Sequence, residues 1–267
     1  MTGTLPHSKL VLIPGGGMSS WAWDRLIPLL QADCLPIPTR LPVSTPEIRK
    51  KATVTDCVDH ILAQMDSAGF ERAVIVGHSG GGILAGQLAR QAPERVRHLV
   101  FLSANIPQDG HTSLHGLPAS VRLLNLFAMH LQNRCNSTPL KKMEGIVRRN
   151  FCNTCPEDAI CFMLEQELLT EPLCLIHEKI CWSEFPPLPR TFIRLLQDRT
   201  ISLAGQARMA SNLAITDIRS IDSDHMVMLS QPQALADMLH EILASLAKEA
   251  VPSQPGLTVR RQSPVPA

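Results

Sequence analysis

Three observations predict an α/β fold, a mostly parallel sheet flanked by helices with an inserted helical cap. Short apolar runs alternate with helical patterns as far as residue 104. Two glycine clusters, at 15–17 and 80–82, each follow such a run. The alternation stops over residues 105–189 and then resumes. Continuous apolar strands alternating with helices belong to a parallel sheet buried on both faces. Ligands gather beyond the C-terminal ends of such strands, where both glycine clusters fall. The expected division is a core of residues 1–104 and 190–250, a cap of 105–189 and a disordered tail of 251–267 that has prolines and no periodicity.

Taken in order, residues 9–13 form an apolar strand running into Pro14-Gly15-Gly16-Gly17. Residues 21–30 have helical spacing that Pro28 shortens or kinks. Residues 34–38 make a poor strand. Over 53–68, Val54, Val58, Ile61, Leu62 and Met65 make one apolar stripe, and Gly69 ends the helix. Residues 74–76 are a buried strand and 83–91 a helix, and a strand at 96–102 follows. Within 105–189, helices are expected at 119–131, 140–150 and 156–170, the last with Pro156 in its first turn. A strand at 191–197, a helix at 205–213, a weak strand at 217–221 and a helix from Pro232 to about 250 complete the core.

At 267 residues the chain can bury a large core, and its net charge of +1 gives no electrostatic reason to expect nucleic acid or an anionic membrane. The first nine residues lack a signal peptide's apolar stretch, and no segment has the length of a membrane span, so a cytoplasmic protein is expected. Without an export signal the eight cysteines read as reduced thiols. Cys152 and Cys155 form a C-x-x-C with no second pair at zinc spacing, so no metal site is expected, and its place in a helical region argues against a redox role.

Chemistry concentrates at Gly77, Ser79 and Gly81, a G-x-S-x-G between a strand and a helix. So sharp a turn strains the serine's backbone and lifts its hydroxyl clear of the sheet, while the helix N-terminus and the Gly80 N–H face whatever oxygen becomes negative. A phosphate loop is disfavoured because no Gly-Lys-Ser/Thr follows, and a dinucleotide fingerprint would need G-x-G-x-x-G. Asp198 and His225 each fall just past a later strand. Ser79 would be the nucleophile, His225 its base and Asp198 the carboxylate that orients the imidazole. The competing readings are a solvated turn carboxylate for Asp198 and a surface-loop histidine for His225. Asp222 and Asp224 are too close in sequence to reach behind the His225 ring. The other histidines, His78 among them, read as structural or solvated.

These residues, in the order Ser79, Asp198, His225, with the stretch Ser223-Asp224-His225-Met226 and the run Trp21-Ala22-Trp23, resemble the α/β-hydrolase superfamily. Within it the chain is similar to the branch of plant methyl-ester esterases (salicylate-binding and methyl jasmonate esterases), hydroxynitrile lyases and small bacterial esterases, over residues 9–250 with a looser match in the cap. The branch opens its first glycine loop with His-Gly-x, and the x backbone N–H completes the oxyanion hole. Here the loop reads Pro14-Gly15-Gly16-Gly17, so the resemblance carries the second donor to Gly16, with Gly17 as the alternative. Hydroxynitrile lyases carry a lysine after the catalytic histidine and a threonine in the first loop; Met226 and Gly15-Gly16 stand there instead, against cyanohydrin cleavage. The resemblance implies a serine hydrolase of a small carboxylic ester, working through an acyl-enzyme without cofactor or metal. Thioester hydrolysis or acyl transfer, a cofactor-free lyase or cyclase, and a ligand-binding protein remain open. The partner expected is a small-molecule ester or thioester, not nucleic acid or a membrane, and a homodimer is left open.

Overall fold

A computed structural model describes residues 8–38, 45–115, 122 and 137–249. Six strands make one sheet: β1 (Lys9–Ile13), β2 (Asp33–Pro36), β3 (Ala73–His78), β4 (Val96–Leu102), and, after a separate two-stranded antiparallel pair of β5 (Ser137–Pro139) and β6 (Glu167–Leu169), β7 (Arg190–Leu195) and β8 (Asp217–Ile221). The sheet order is β2-β1-β3-β4-β7-β8, with every neighbouring pair parallel. Strands with no polar face need cover on both sides, and the burial follows the two-residue alternation. Val11, Ile13, Ile75, Leu99 and Phe101 face one apolar cluster, shared with helices α2 (Val54–Ser67), α3 (Gly81–Gln91) and α7 (Leu203–Asn212). Leu10, Leu12, Val74, Val76, Val100 and Leu102 face the other, shared with Trp21, Trp23 and helices α8 (Val227–Ser230) and α9 (Pro232–Glu249). Each fully buried Leu, Ile or Phe contributes about 1.5–3 kcal/mol, so this alternation is what holds the strand ends in register.

Local signals act where expected. Thr53 caps α2 in a reciprocal box, its hydroxyl accepting from the Asp56 N–H at 3.1 Å while the Asp56 carboxylate accepts from the Thr53 N–H at 2.8 Å. Pro28 breaks the segment after the first loop into two 3₁₀ turns, Ser20–Trp23 and Ile27–Leu29. A six-residue helix, α1 (Pro46–Lys51), precedes α2 without having been anticipated.

The chain leaves the sheet after β4 and rejoins it at β7. Two expectations for this stretch are corrected. Residues 140–150 are not one helix: a 3₁₀ turn (Leu140–Met143), a single turn α4 (Glu144–Ile146) and a π turn (Val147–Phe151) follow one another. Residues 156–170 are helical only as α5 (Glu157–Leu164), and Glu167–Leu169 turns back as β6 to pair antiparallel with β5. Cys152 therefore ends the π turn and Cys155 lies in the connection before α5, outside any helix. The short helix α6 (Cys174–His177) completes the stretch. The helix expected at 119–131 and the tail at 251–267 lie outside the described residues. Among the described residues no helix is long and apolar enough to cross a membrane.

At the N-terminal end of the strands a polar chain runs from buried His98 and Thr191 out to Asp217, whose side chain is 45% exposed. The Thr191 hydroxyl on β7 donates to Asp217 Oδ2 on β8 at 2.5 Å and accepts from His98 Nε2 on β4 at 2.8 Å. Burial of His98 outweighs the pull of Asp217 and pushes its pKa down to about 4.

Candidate active site

The elbow forms at the C-terminal end of β3. Ser79 has φ 49°, a left-handed conformation costly for a residue with a Cβ, and the surroundings hold it there. The Ser79 N–H donates to the Leu102 carbonyl at 3.1 Å, and the Ser79 carbonyl accepts from the Asn105 and Gly82 N–H groups at 2.8 and 3.0 Å. The flanking glycines are required by contact. A Cβ on Gly77 would lie 2.9 Å from the Gly81 carbonyl oxygen, and one on Gly81 would lie 2.5 Å from the Pro14 carbonyl oxygen. Strand, helix and first glycine loop thus meet with no room for a side chain.

Asp198 follows β7, and its two oxygens have separate partners. Oδ1 accepts the Thr200 and Ile201 N–H groups at 2.7 and 2.9 Å, which fixes the carboxylate plane. Oδ2 accepts from the Ser103 hydroxyl at 2.6 Å and pairs with His225 Nδ1 at 2.6 Å. Burial opposes ionisation here, but the charge and hydrogen bond of His225, the Ser103 hydroxyl and the Ile201 N–H overcome it, so the carboxyl stays below its ordinary range. The expected carboxylate is the one that meets the ring. Asp222 accepts instead from the Gln197 side chain. Asp224 accepts from the Thr154 N–H, the Met226 N–H and the Ser230 hydroxyl. It ties the histidine loop to the inserted segment without touching the ring.

The His225 ring is buried, and its Nε2 has no hydrogen-bond partner. A tautomer with Nδ1–H on Asp198 leaves Nε2 with a free lone pair. Phe151 of the π turn lies against the ring at 5.7 Å between centroids. His78, on the strand that carries Ser79, puts its Nε2 2.9 Å from the His225 carbonyl oxygen and its ring 4.7 Å from the His225 ring. Sequence reasoning took His78 as structural and missed that what it supports is His225; its place next to the elbow serine was the available signal. Ser103 was missed too. It is a polar residue at the first position past β4, with φ 37°, and the serine there was legible as a strand-end group.

The Gly16 nitrogen lies 3.3 Å from where a Gly80 Cβ would stand, so the two expected donors are neighbours. The Gly17 N–H, the alternative, donates to the Glu171 carboxylate. Of the eight cysteines in the chain, the seven described form no disulfide. Cys155 is held in the thiol form, chiefly by its hydrogen bond with Cys152 and then by burial. Among the described residues no group of three or more His, Cys, Asp or Glu is arranged to hold a metal.

Comparison with known proteins gives this geometry a lineage. Polyneuridine aldehyde esterase of Rauvolfia serpentina is 25% identical over 258 residues, 88% of this chain and 96% of that protein. An alpha-hydroxynitrile lyase of Arabidopsis thaliana is 28% identical over 247 residues, 87% of this chain and 95% of that protein. Among solved structures, an extracellular alpha/beta-hydrolase from a Paenibacillus species, described as sharing structural and functional homology with tobacco salicylic acid binding protein 2, superposes with a TM-score of 0.72 at 19% identity, over 88% of this chain and 98% of that one. The model of the alpha/beta hydrolase family matches residues 10–238, from β1 into the last helix, and the chain belongs to that family.

Proposed function

We propose that the protein is a serine hydrolase of small carboxylic esters, and that Ser79, His225 and Asp198 form its triad. The observation that carries this is the buried His225–Asp198 pair at 2.6 Å, which leaves Nε2 of the same ring without a partner beside the strand end that presents Ser79. No hydrogen bond joins Ser79 to His225 Nε2, and contacts of this kind commonly tighten only in the substrate complex.

Nε2 takes the Ser79 proton as the oxygen attacks the ester carbonyl, and Asp198 stabilises the imidazolium. The tetrahedral oxyanion is received by the Gly16 and Gly80 N–H groups. Collapse expels the alcohol, which takes the proton from His225, and an acyl-enzyme remains. Water attacks with His225 again as base and releases the acid. The reaction requires neither metal nor organic cofactor. Within the cap expected at 105–189, the described residues 137–189 would lie over the site and set acyl preference.

The deciding experiment is hydrolysis of p-nitrophenyl acetate and butyrate, with a thioester alongside, by the wild type and Ser79→Ala. An acyl-enzyme burst in the wild type, and a loss of about three or more orders of magnitude in the variant, is the expected result. Substantial activity retained by Ser79→Ala, on these or on lyase substrates, replaces the hydrolase with a cofactor-free lyase. Inert proteins with a Ser79 that a fluorophosphonate does not label would leave a binding protein.

A further inference from the structure

Three consecutive glycines are a poor way to hold an oxyanion donor. A glycine populates both signs of φ, so the Gly15-Gly16-Gly17 loop has few intrinsic reasons to keep one conformation. What holds it comes from elsewhere in the chain. The Met18 N–H closes a turn onto the Gly15 carbonyl at 3.1 Å, and Gly17, in its third position, has φ +72°, as a type II turn requires. The peptide between the two central residues of such a turn rotates readily between type II and type I. Rotation carries the Gly17 N–H to the opposite side.

Residues of the insertion engage Gly17 at both ends. Its N–H donates to the Glu171 carboxylate. Its carbonyl accepts from the Leu169 N–H at 2.6 Å. The Leu168 side chain occupies the place a Gly17 Cβ would take, with Cδ1 2.5 Å from that point. Two polar contacts and one packing contact therefore converge on a single glycine from β6 and the two residues after it, more than 150 positions away in sequence.

Resting on the serine-hydrolase reading above, we infer that Glu171 is a positioning residue for the oxyanion hole: its carboxylate captures the Gly17 N–H, pins the Gly15–Met18 turn against the insertion, and so holds Gly16, the turn's second residue, with its N–H beside that of Gly80. Glu171 touches no reacting atom in this scheme. The hole is then assembled from two parts of the chain, and is complete only while the insertion is docked on the first glycine loop. A main-chain brace of this kind acts on the transition state, where the oxyanion exists, and not on the neutral ester.

Glu171→Ala tests this with two readouts. With p-nitrophenyl butyrate, kcat falls about 10- to 100-fold while KM stays within threefold, since one whole oxyanion donor is worth about 10²–10³ in kcat and the brace is lost only in part. Hydrogen exchange at the Gly17 amide, followed by NMR, accelerates at least tenfold. Glu171→Gln keeps an acceptor oxygen and retains activity within about threefold of wild type, which also guards against misfolding as the cause. An Ala variant with kcat within twofold of wild type, a shift confined to KM, or unchanged Gly17 exchange overturns the inference. If the wild type is inert and Ser79 unlabelled, it is the hydrolase reading that fails, and the exchange measurement still decides whether Glu171 holds the turn.

Discussion

The two ends of the sheet carry the same three kinds of group on the same strands. At the N-terminal end a histidine, a hydroxyl and a carboxylate run His98, Thr191, Asp217 across β4, β7 and β8. At the C-terminal end Ser103, Asp198 and His225 follow those strands in the same order. The difference is which group stands in the middle. Thr191 separates the His98 ring from its carboxylate, and burial keeps that imidazole neutral, with its pKa down at about 4. Asp198 is central at the other end and touches both neighbours, so the imidazole meets the carboxylate directly. The N-terminal trio has no strained serine beside it, and its histidine serves as a structural hydrogen-bonding group. Inventory does not make a site; the order of the groups and the elbow next to them do.

The sharpest way to break this comparison is to neutralise each carboxylate. Asp198→Asn is expected to lower kcat by about 10³–10⁴ while the protein stays folded, because the ring loses its orienting charge and tautomer. Asp217→Asn should leave kcat within about twofold and appear only as lost stability, of about 1 kcal/mol or less in a denaturant titration, because the carboxylate is partly solvated and asparagine keeps an acceptor for Thr191. Equal losses of kcat in both variants would mean that the ends are functionally coupled. Ser103→Ala is a finer cut. It removes one of the four hydrogen bonds to Asp198, and a fall in kcat of roughly tenfold with KM unchanged is expected, read from steady-state kinetics.

The smallest effect distinguishes the two histidines by pH. The pKa of His98 is lower in the folded state than the 6.5 of an unperturbed histidine, so below that value the unfolded chain binds the proton first. The stability contributed by neutral His98 is full above about pH 6.5 and is lost as pH falls towards 4, with a slope of at most about 1.4 kcal/mol per pH unit. His98→Gln should flatten that acid limb between pH 6.5 and 4 in urea midpoints measured across the range, with kcat at pH 7.5 unchanged.

How much of this was legible follows from where the information sits. Continuous runs such as Val74-Ile75-Val76 and Val96–Leu102 announce themselves because both faces of the sheet are covered, and the G-x-S-x-G announces itself because the strand, helix and first loop leave space for nothing but hydrogen at Gly77 and Gly81. Asp198 and His225 could be read from their places at strand ends. The inserted segment was misread because its polar pattern is helical while its structure is decided by docking: Glu167–Leu169 extends to pair with Ser137–Pro139 and to reach Gly17. Propensity loses to such tertiary pairing in short elements. His78 and Ser103 escaped because each supports another residue, and that kind of work has no spacing of its own.

The hydrogen bond from His78 to the His225 carbonyl has one more consequence. His78 and Ser79 are successive residues, so His225 is referenced to the strand that presents Ser79 and not only through the chain of neighbouring strands that leads from β3 to β8. It works as a gauge zeroed on the piece it measures. Small slips at the sheet's far edge accumulate across the fold, but this contact counters them locally by tying His225 to the residue next to Ser79.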